Sequence, residues 1–340
     1  MSAEGKPSPD LIFDTITAYQ KTAAMKAAVD VDLFTQLVDG PLTAAQVAKR
    51  CGANERGMRI LCDYMAVHGF LRKAGETYAL TEDTAVFLNR KSPAFAGGAM
   101  EFLLSDELRD AFASLGEAVR RGGTARPNKG STAPEHPMWI TFARAMGGLM
   151  VPASHGLTEL IPLDKARPTR VLDIAAGHGM WGIAFARAFP NAHVAALDWG
   201  NVLQVARENA RAFGVADRFS TIAGSAFEVD LGANYDVVLL PNFLHHFNAG
   251  DCVELLKKVH AALRPGGHVA IVEFVPNPDR ISPPASAGFS LVMLATTPEG
   301  DAYTLAEYND MLAQAGFEAP TLHPLPASVN QAVISKKLET

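Results

Sequence analysis

Cysteine is scarce in this chain. Its 340 residues hold three, Cys51, Cys62 and Cys252, with no CxxC pair and no histidine at zinc-ligand spacing. All three fall inside helical patterns and read as small core residues, so no metal is expected. An odd count without a framework excludes a disulfide-stapled secreted fold and points to a reduced, cytoplasmic protein. A surplus of positive charge is missing as well. Thirty Lys and Arg stand against 36 Asp and Glu, a formal net charge of −6, which argues against a surface built for phosphate backbones. No apolar run reaches the ~18–20 residues that span a bilayer, so no membrane partner is expected. Met1 to Pro9 is small and polar, without an apolar h-region, and is expected as a disordered start. Internal repeats and low-complexity tracts are absent. What is present is 48% hydrophobic and 19% charged, an ordinary soluble balance. The length suits two domains, or one large domain with an added module.

The first hundred residues read as helical. Ile12, Ile16, Tyr19, Ala23, Ala27, Val31 and Phe34 recur at three- and four-residue steps, predicting helix from Asp10 to Val38. Thr43 caps a second helix, a third runs from Asn54 to Gly69, and Leu71 to Leu80 reads as a hairpin turning near Gly75. Helix, turn, helix, hairpin is the winged-helix order. One use of that order is DNA binding and the other is packing or dimerisation. Arg56, Arg59, Arg72 and Lys73 are interspersed with Glu55, Asp63 and Glu76 rather than gathered in a basic stripe, which favours dimerisation and no nucleic-acid partner.

Residues 101–165 form a helical middle section, broken by a Gly/Pro-rich stretch from Gly122 to Pro137. His136 to Met150 is dense in Met and aromatic residues. Core packing is the plain explanation, yet Trp139, Phe142 and Met146 share one helical face and suit the wall of a pocket for a flat ligand.

From residue 166 onward strands and helices alternate, which predicts a parallel doubly wound sheet. The tail departs from it, with strands over 317–324 and 328–336 forming an antiparallel pair at one edge. The first strand, Val171 to Ile174, runs into Ala175-Ala-Gly-His-Gly179 and a helix over 180–189. Glycines there bring bare N–H groups and a helix N-terminus to a ligand. Gly177, Gly179 and Gly182 also satisfy Gly-x-Gly-x-x-Gly, a weak signal by itself. A second strand ends in Asp198, about 25 residues after Asp173, where a carboxylate accepts from both hydroxyls of a ribose. The plainer role for Asp198 is a cap for the following helix, 200–213.

Asp173-Ile-Ala-Ala-Gly-His-Gly179, Asp198, Ala223-Gly-Ser-Ala-Phe227, Tyr235 to Leu240 and Arg264-Pro-Gly-Gly267 occur in this order. Together they resemble class I S-adenosylmethionine-dependent methyltransferases. With the winged-helix-like N-terminal part, nearly the whole chain is similar to the plant-type small-molecule O-methyltransferases. The resemblance implies a Rossmann-like α/β domain over 166–340 with a seven-stranded, mostly parallel sheet, a pocket-forming linker over 101–165, and an N-terminal dimerisation domain over 1–100. It implies a homodimer, a small-molecule acceptor and S-adenosylmethionine as cofactor.

The resemblance also implies site residues. Asp173, Gly177 and Gly179 lie at the methionine end of the cofactor, Asp198 at the ribose, and Trp199 with Gly224, Ser225, Ala226 and Phe227 around the adenine. Serine stands at 225 where the family commonly has an acid. Asn242 opens the loop Pro241-Asn-Phe-Leu-His-His-Phe-Asn248. In the family a His of this loop, seven residues before a Cys, removes the proton of the acceptor hydroxyl. His245 has that spacing to Cys252, and His246 is its neighbour at the acceptor. An imidazole, ordinarily titrating near pH 6.5, suits proton removal at neutral pH. Glu273 ends the strand next in the sheet and is expected to orient that base. A second family acid falls at Ala302, leaving Asp301 as its substitute. Met293 is expected beside Trp139, Phe142 and Met146 in the acceptor pocket. Transfer to nitrogen or carbon, a cofactor-sensing DNA-binding regulator, and a methyltransferase scaffold turned to other chemistry are the alternatives.

Overall fold

The computed structural model describes residues 7–339, so most of the expected disordered start lies outside the described residues. The chain divides into two compact units, one up to Met100 and one from Glu101.

The first unit holds α1 (Asp10–Asp30), α2 (Leu33–Gln36), β1 (Leu42–Thr43), α3 (Ala44–Cys51), α4 (Glu55–Val67), β2 (Leu71–Ala74), β3 (Thr77–Leu80) and α5 (Glu82–Phe87). The helix expected through Val38 breaks at Asp32, whose φ of +58° no helix accommodates. Thr43 closes a capping box with Gln46 at the start of α3. The hairpin turns at Gly75 as expected, and the two-residue β1 adds a third strand beside β3. Phe34, Leu37, Met58, Met65 and Tyr78 fill the core. Two of the four cations weighed for DNA binding are spent. Arg59 and Lys73 both bind Asp63, at 2.9 and 2.6 Å, and the Tyr78 hydroxyl donates to the same carboxylate. On α1, Leu11, Ile12, Phe13, Ile16 and Tyr19 are all more than 60% exposed, an apolar surface left uncovered by the described residues of its own unit.

The second unit follows α6 (Ala99–Leu103) with α7 (Asp106–Ala113), α8 (Leu115–Arg121), α9 (Met138–Met146) and α10 (Val151–Leu160). Then come β4 (Thr169–Ile174), α11 (Met180–Ala188), β5 (Ala192–Asp198), α12 (Leu203–Ala212), β6 (Phe219–Ala223), β7 (Tyr235–Pro241), α13 (Ala249–Ala262) and β8 (Leu263–Glu273). The chain ends with α14 (Pro284–Thr296), α15 (Leu305–Gln314), β9 (Thr321–Pro324) and β10 (Gln331–Lys336). The sheet order is β6-β5-β4-β7-β8-β10-β9, parallel except for β10, which runs antiparallel to both β8 and β9. The fold is therefore the seven-stranded, mostly parallel architecture, with the expected antiparallel pair at one edge. α14 leaves no sequence signature because its apolar residues are not confined to one face.

Alternation along β4 sends Val171 to one core and Leu172 to the other, so both sheet faces are covered. The order reverses direction between β4 and β7, which opens a crevice at the carboxyl ends of those strands. Gly182 shows how tightly α11 sits there. A Cβ at that position would lie 2.6 Å from Val194 Cγ1 and 3.0 Å from Asp173 Oδ2, both in the sheet beneath. Gly182→Ala is expected to cost ~1–3 kcal/mol of stability and to lower Tm by several degrees. A melting curve unchanged by the substitution would mean the helix can lift off at no cost.

Candidate active site

The carboxyl edge gathers the loops after β4, β5, β6, β7 and β8. After β4 the chain turns through three residues of positive φ, Ala175, Gly177 and Gly179. The Asp198 carboxylate reaches from the tip of β5 to the loop after β4. It accepts from the Gly177 N–H at 2.7 Å and from the Trp199 N–H at 2.6 Å. Asp198 is thus tied to the glycine loop rather than acting as a cap for α12, whose cap position is Val202. Burial pushes its carboxyl up to about 6, against the pull of those two N–H donors.

Asp173 is sealed in β4. Its Oδ2 accepts from the Gly182 N–H at 2.9 Å, satisfying a free donor in the first turn of α11. Its Oδ1 is buried without a partner. Burial pushes this carboxyl up to about 7, and the Asp198 charge adds to the rise. The folded chain therefore holds a proton that an unfolded carboxyl, near 3.8, gives up. The cost of the buried charge is absent below about pH 4 and complete above about pH 7. Asp173→Asn is accordingly expected to gain in Tm on the native chain between about pH 5 and pH 8. A Tm difference that does not move with pH contradicts this.

After β6, the Gly224 N–H returns to the Asp198 carbonyl at 3.0 Å. Ser225 Oγ accepts from the Phe227 N–H, and the Lys258 ammonium donates to the carbonyls of Ala226, Phe227 and Val229 at 2.7–3.1 Å. Ala226 is buried, and the Phe227 ring packs edge-on against Phe247 at 4.8 Å. Trp199 lies with Trp139, Ile140 and Ala143 around Val202 and Val205.

The loop after β7 starts at Asn242, whose φ of +51° turns the chain while its N–H closes a last bond to the Val272 carbonyl. Its side-chain oxygen accepts from Asn330 at 3.0 Å. A short 3-10 turn, Leu244–His246, then presents two histidines. Cys252 Sγ donates to the Leu244 carbonyl at 3.3 Å, so the expected His–Cys spacing ties α13 to this turn.

Glu273, fully buried at the tip of β8, organises the loop. Its Oε1 accepts from the Phe243 N–H at 2.9 Å and from the His245 N–H at 3.4 Å, while Oε2 bonds His245 Nδ1. One carboxylate thus holds both the backbone and the ring of His245. With Nδ1 donating to Glu273, the lone pair lies on Nε2. That nitrogen has no protein partner among the described residues and is not among the sealed polar atoms, so it keeps some accessible surface.

Aromatic rings continue from there. Phe289 of α14 meets His245 edge-on at 4.8 Å and stacks on Phe274 at 3.8 Å. Trp139 meets His246 at 5.1 Å and Phe142 at 5.8 Å, and Phe142 lies parallel to His178 at 6.1 Å. Phe142 also reaches the glycine loop, 3.9 Å from where a Gly177 Cβ would stand. Met146 is half-buried and Met293 buried.

Asp301 stands apart. Although Gly300 packs on the His245 carbonyl, the Asp301 carboxylate pairs with Arg280 at 3.3 Å and accepts from its own Ala302 N–H. It is not a hydrogen-bond partner of His245, because Arg280 draws it outward.

Sequence reasoning passed over His178, Phe274, Phe289 and Asn330. Only His178, between the two loop glycines, stands in a motif that marks it in the sequence. Its Nδ1 accepts from the Met180 N–H at 3.1 Å, and burial lowers its pKa to about 4, so the ring is neutral.

The donor set fits a nucleoside-bearing cofactor with an amino-acid arm. Asp198 offers a carboxylate to paired hydroxyls, the glycine turn leaves room for close approach, and Asp173 Oδ1 is an unused acceptor beneath it. The sheet order and this crevice define a doubly wound α/β protein that binds a ligand at the switch point of its sheet. Family comparison is specific. An O-methyltransferase domain matches residues 157–318, and an O-methyltransferase dimerisation domain matches residues 13–90. The chain is 30% identical over 91% of its length to the tetracenomycin polyketide synthesis 8-O-methyl transferase of Streptomyces glaucescens, covering 91% of that protein. It is 29% identical to the 3-hydroxy-5-methyl-1-naphthoate 3-O-methyltransferase of Streptomyces sahachiroi, with 91% and 89% of the two chains covered. A solved Nostoc punctiforme structure, classed with the O-methyltransferases, shares 50% identity at a TM-score of 0.94, with 98% and 100% coverage. Human N-acetylserotonin methyltransferase, solved with S-adenosylmethionine, shares the fold at 22% identity and a TM-score of 0.82, with 99% and 100% coverage. The chain belongs to the S-adenosylmethionine-dependent O-methyltransferases.

Proposed function

We propose that this enzyme methylates a phenolic hydroxyl on a planar aromatic or polyketide-like small molecule, with His245 as general base. The observation that carries this is the His245–Glu273 pair, whose geometry commits Nδ1 and leaves the Nε2 lone pair uncommitted. Bound S-adenosylmethionine supplies a methyl group on a positively charged sulfur, a good leaving group. His245 Nε2 takes the phenol proton as the oxygen attacks the methyl carbon. The oxygen–carbon bond forms, the sulfur keeps the electron pair of the broken bond, and the proton on His245 passes to solvent. Glu273 fixes the tautomer and stabilises the imidazolium that forms. Asp301 has no part in this step while Arg280 holds it.

Asp198 holds the ribose hydroxyls, and the turn at Gly177 and Gly179, with Asp173 beneath and Asn242 opposite, receives the methionine end. The segment from Gly224 to Phe227, with Trp199, borders the adenine, and Lys258 sets its shape from behind. Trp139, Phe142, Met146, His246 and Met293 line the acceptor side, with Phe289 as a further wall. Flat rings favour a flat acceptor. The two Streptomyces relatives are named for a polyketide and a naphthoate substrate, in keeping with this choice. The working form is a homodimer, built on the dimerisation domain and the bare apolar face of α1. A screen of phenols with the full-length protein tests the reading. Expected are stabilisation by S-adenosylhomocysteine and products heavier by one methyl group. Absence of cofactor stabilisation, or methylation of amines alone, overturns it.

A further inference from the structure

His246 stands beside His245 in the same turn but is wired in the opposite sense. Its ring is 4.3 Å from that of His245, inclined at 68°, and is braced by the edge of Trp139. The residue is 9% exposed. Nδ1 is sealed from solvent and has no hydrogen-bond partner. Nε2 also lacks a protein partner among the described residues, yet it is not among the sealed atoms, so the accessible side of the ring carries it. Burial, with the neighbouring His245, keeps this ring neutral. A neutral imidazole has one N–H. An orphaned N–H is rarer in protein interiors than an under-satisfied acceptor, so the proton belongs on Nε2. Adjacent rings then present complementary groups, an acceptor on His245 Nε2 and a donor on His246 Nε2.

We infer that this pair selects an acceptor whose hydroxyl sits beside a carbonyl oxygen, ortho or peri to it, with His246 donating to the carbonyl while His245 takes the hydroxyl proton. The inference rests on the phenol reading above and narrows its substrate class. In such molecules the hydroxyl proton is held by the carbonyl in an internal hydrogen bond, at an oxygen–oxygen separation of about 2.5–3.0 Å. That bond must open before a base can reach the proton. A donor already aimed at the carbonyl replaces it. A phenol without the carbonyl leaves the His246 N–H desolvated and unpaired in the closed complex.

Matched isomers test this with the full-length enzyme. The α-hydroxyanthraquinone has its hydroxyl beside the carbonyl, and the β isomer has the same rings without that neighbour. The native enzyme is expected to favour the α isomer by ~10–100-fold in kcat/KM. It is also expected to bind that isomer more tightly when loaded with S-adenosylhomocysteine, followed by the dye's own absorbance. His246→Phe should bring both ratios close to unity by losing the α isomer. His246→Gln, which keeps an N–H, should recover part of the preference. Melting with and without S-adenosylhomocysteine establishes that each variant is folded. A native preference for the β isomer, or an equal loss of both isomers in His246→Phe, overturns the inference and leaves the phenol reading standing. Methylation of neither isomer, nor of any other phenol, overturns both.

Discussion

Replacing His245 with glutamine is expected to lower kcat ~10²–10⁴-fold at neutral pH while the stabilisation by S-adenosylhomocysteine stays near the native value. The side chain is 4% exposed and its Nδ1 is committed to Glu273, so the loss falls on proton removal at Nε2 rather than on cofactor binding. Residual turnover should climb with pH as a phenol of pKa near ~10 ionises in solution, since hydroxide then does the work of the base. Glu273→Gln is expected to fail by a different route. The amide oxygen must still accept from the Phe243 N–H, which turns the amide N–H₂ toward His245 Nδ1. That geometry moves the imidazole proton to Nε2 and abolishes the lone pair that the proposed base uses. A loss of similar order in kcat, with cofactor binding retained, is the expected result. Full activity in either variant means that positioning of the two substrates alone suffices.

Asp198→Asn is expected to weaken S-adenosylhomocysteine ~10²-fold or more by calorimetry. Both Asp198 oxygens accept from backbone donors, Gly177 N–H and Trp199 N–H, at 2.7 and 2.6 Å, and each oxygen keeps a further lone pair. An amide sets N–H against one of those donors, so the variant loses both the loop anchor and the proposed ribose partner. Charge-assisted hydrogen bonds contribute about 1.5–3 kcal/mol each, which supplies the estimate. A pH series separates this from general damage. With its carboxyl pushed up to about 6, the native site is protonated below that pH and must shed the proton to accept two hydroxyls. Native affinity should therefore fall as pH drops through about 6, and the Asn variant should lack that step. Parallel pH curves for the two proteins would assign the ribose to another group.

Much of this was legible in the residues because the chemistry of a strand end is local. Asp198 and Glu273 each close a strand of apolar residues, and an acid in that place has few purposes other than meeting something at the sheet edge. The two loop glycines and Asn242 mark turns of positive φ. What stayed hidden depended on neighbours distant in sequence. Phe289 reaches His245 from a helix with no apolar stripe to announce it. Arg280 withdraws Asp301 by an ion pair across 21 residues. Phe227 offers its ring to Phe243 and Phe247, a trio that forms only when β6 and β7 are both placed. The break after α1 turns on one left-handed residue, Asp32, which periodicity does not register.

The position of the transferred methyl tests the central claim most directly. With a methyl-deuterated donor and a phenolic acceptor, product fragmentation and NMR should place the label on oxygen, and its rate of appearance should collapse in His245→Gln. Label on a ring carbon or a nitrogen, or label on oxygen formed equally fast without His245, would contradict the account.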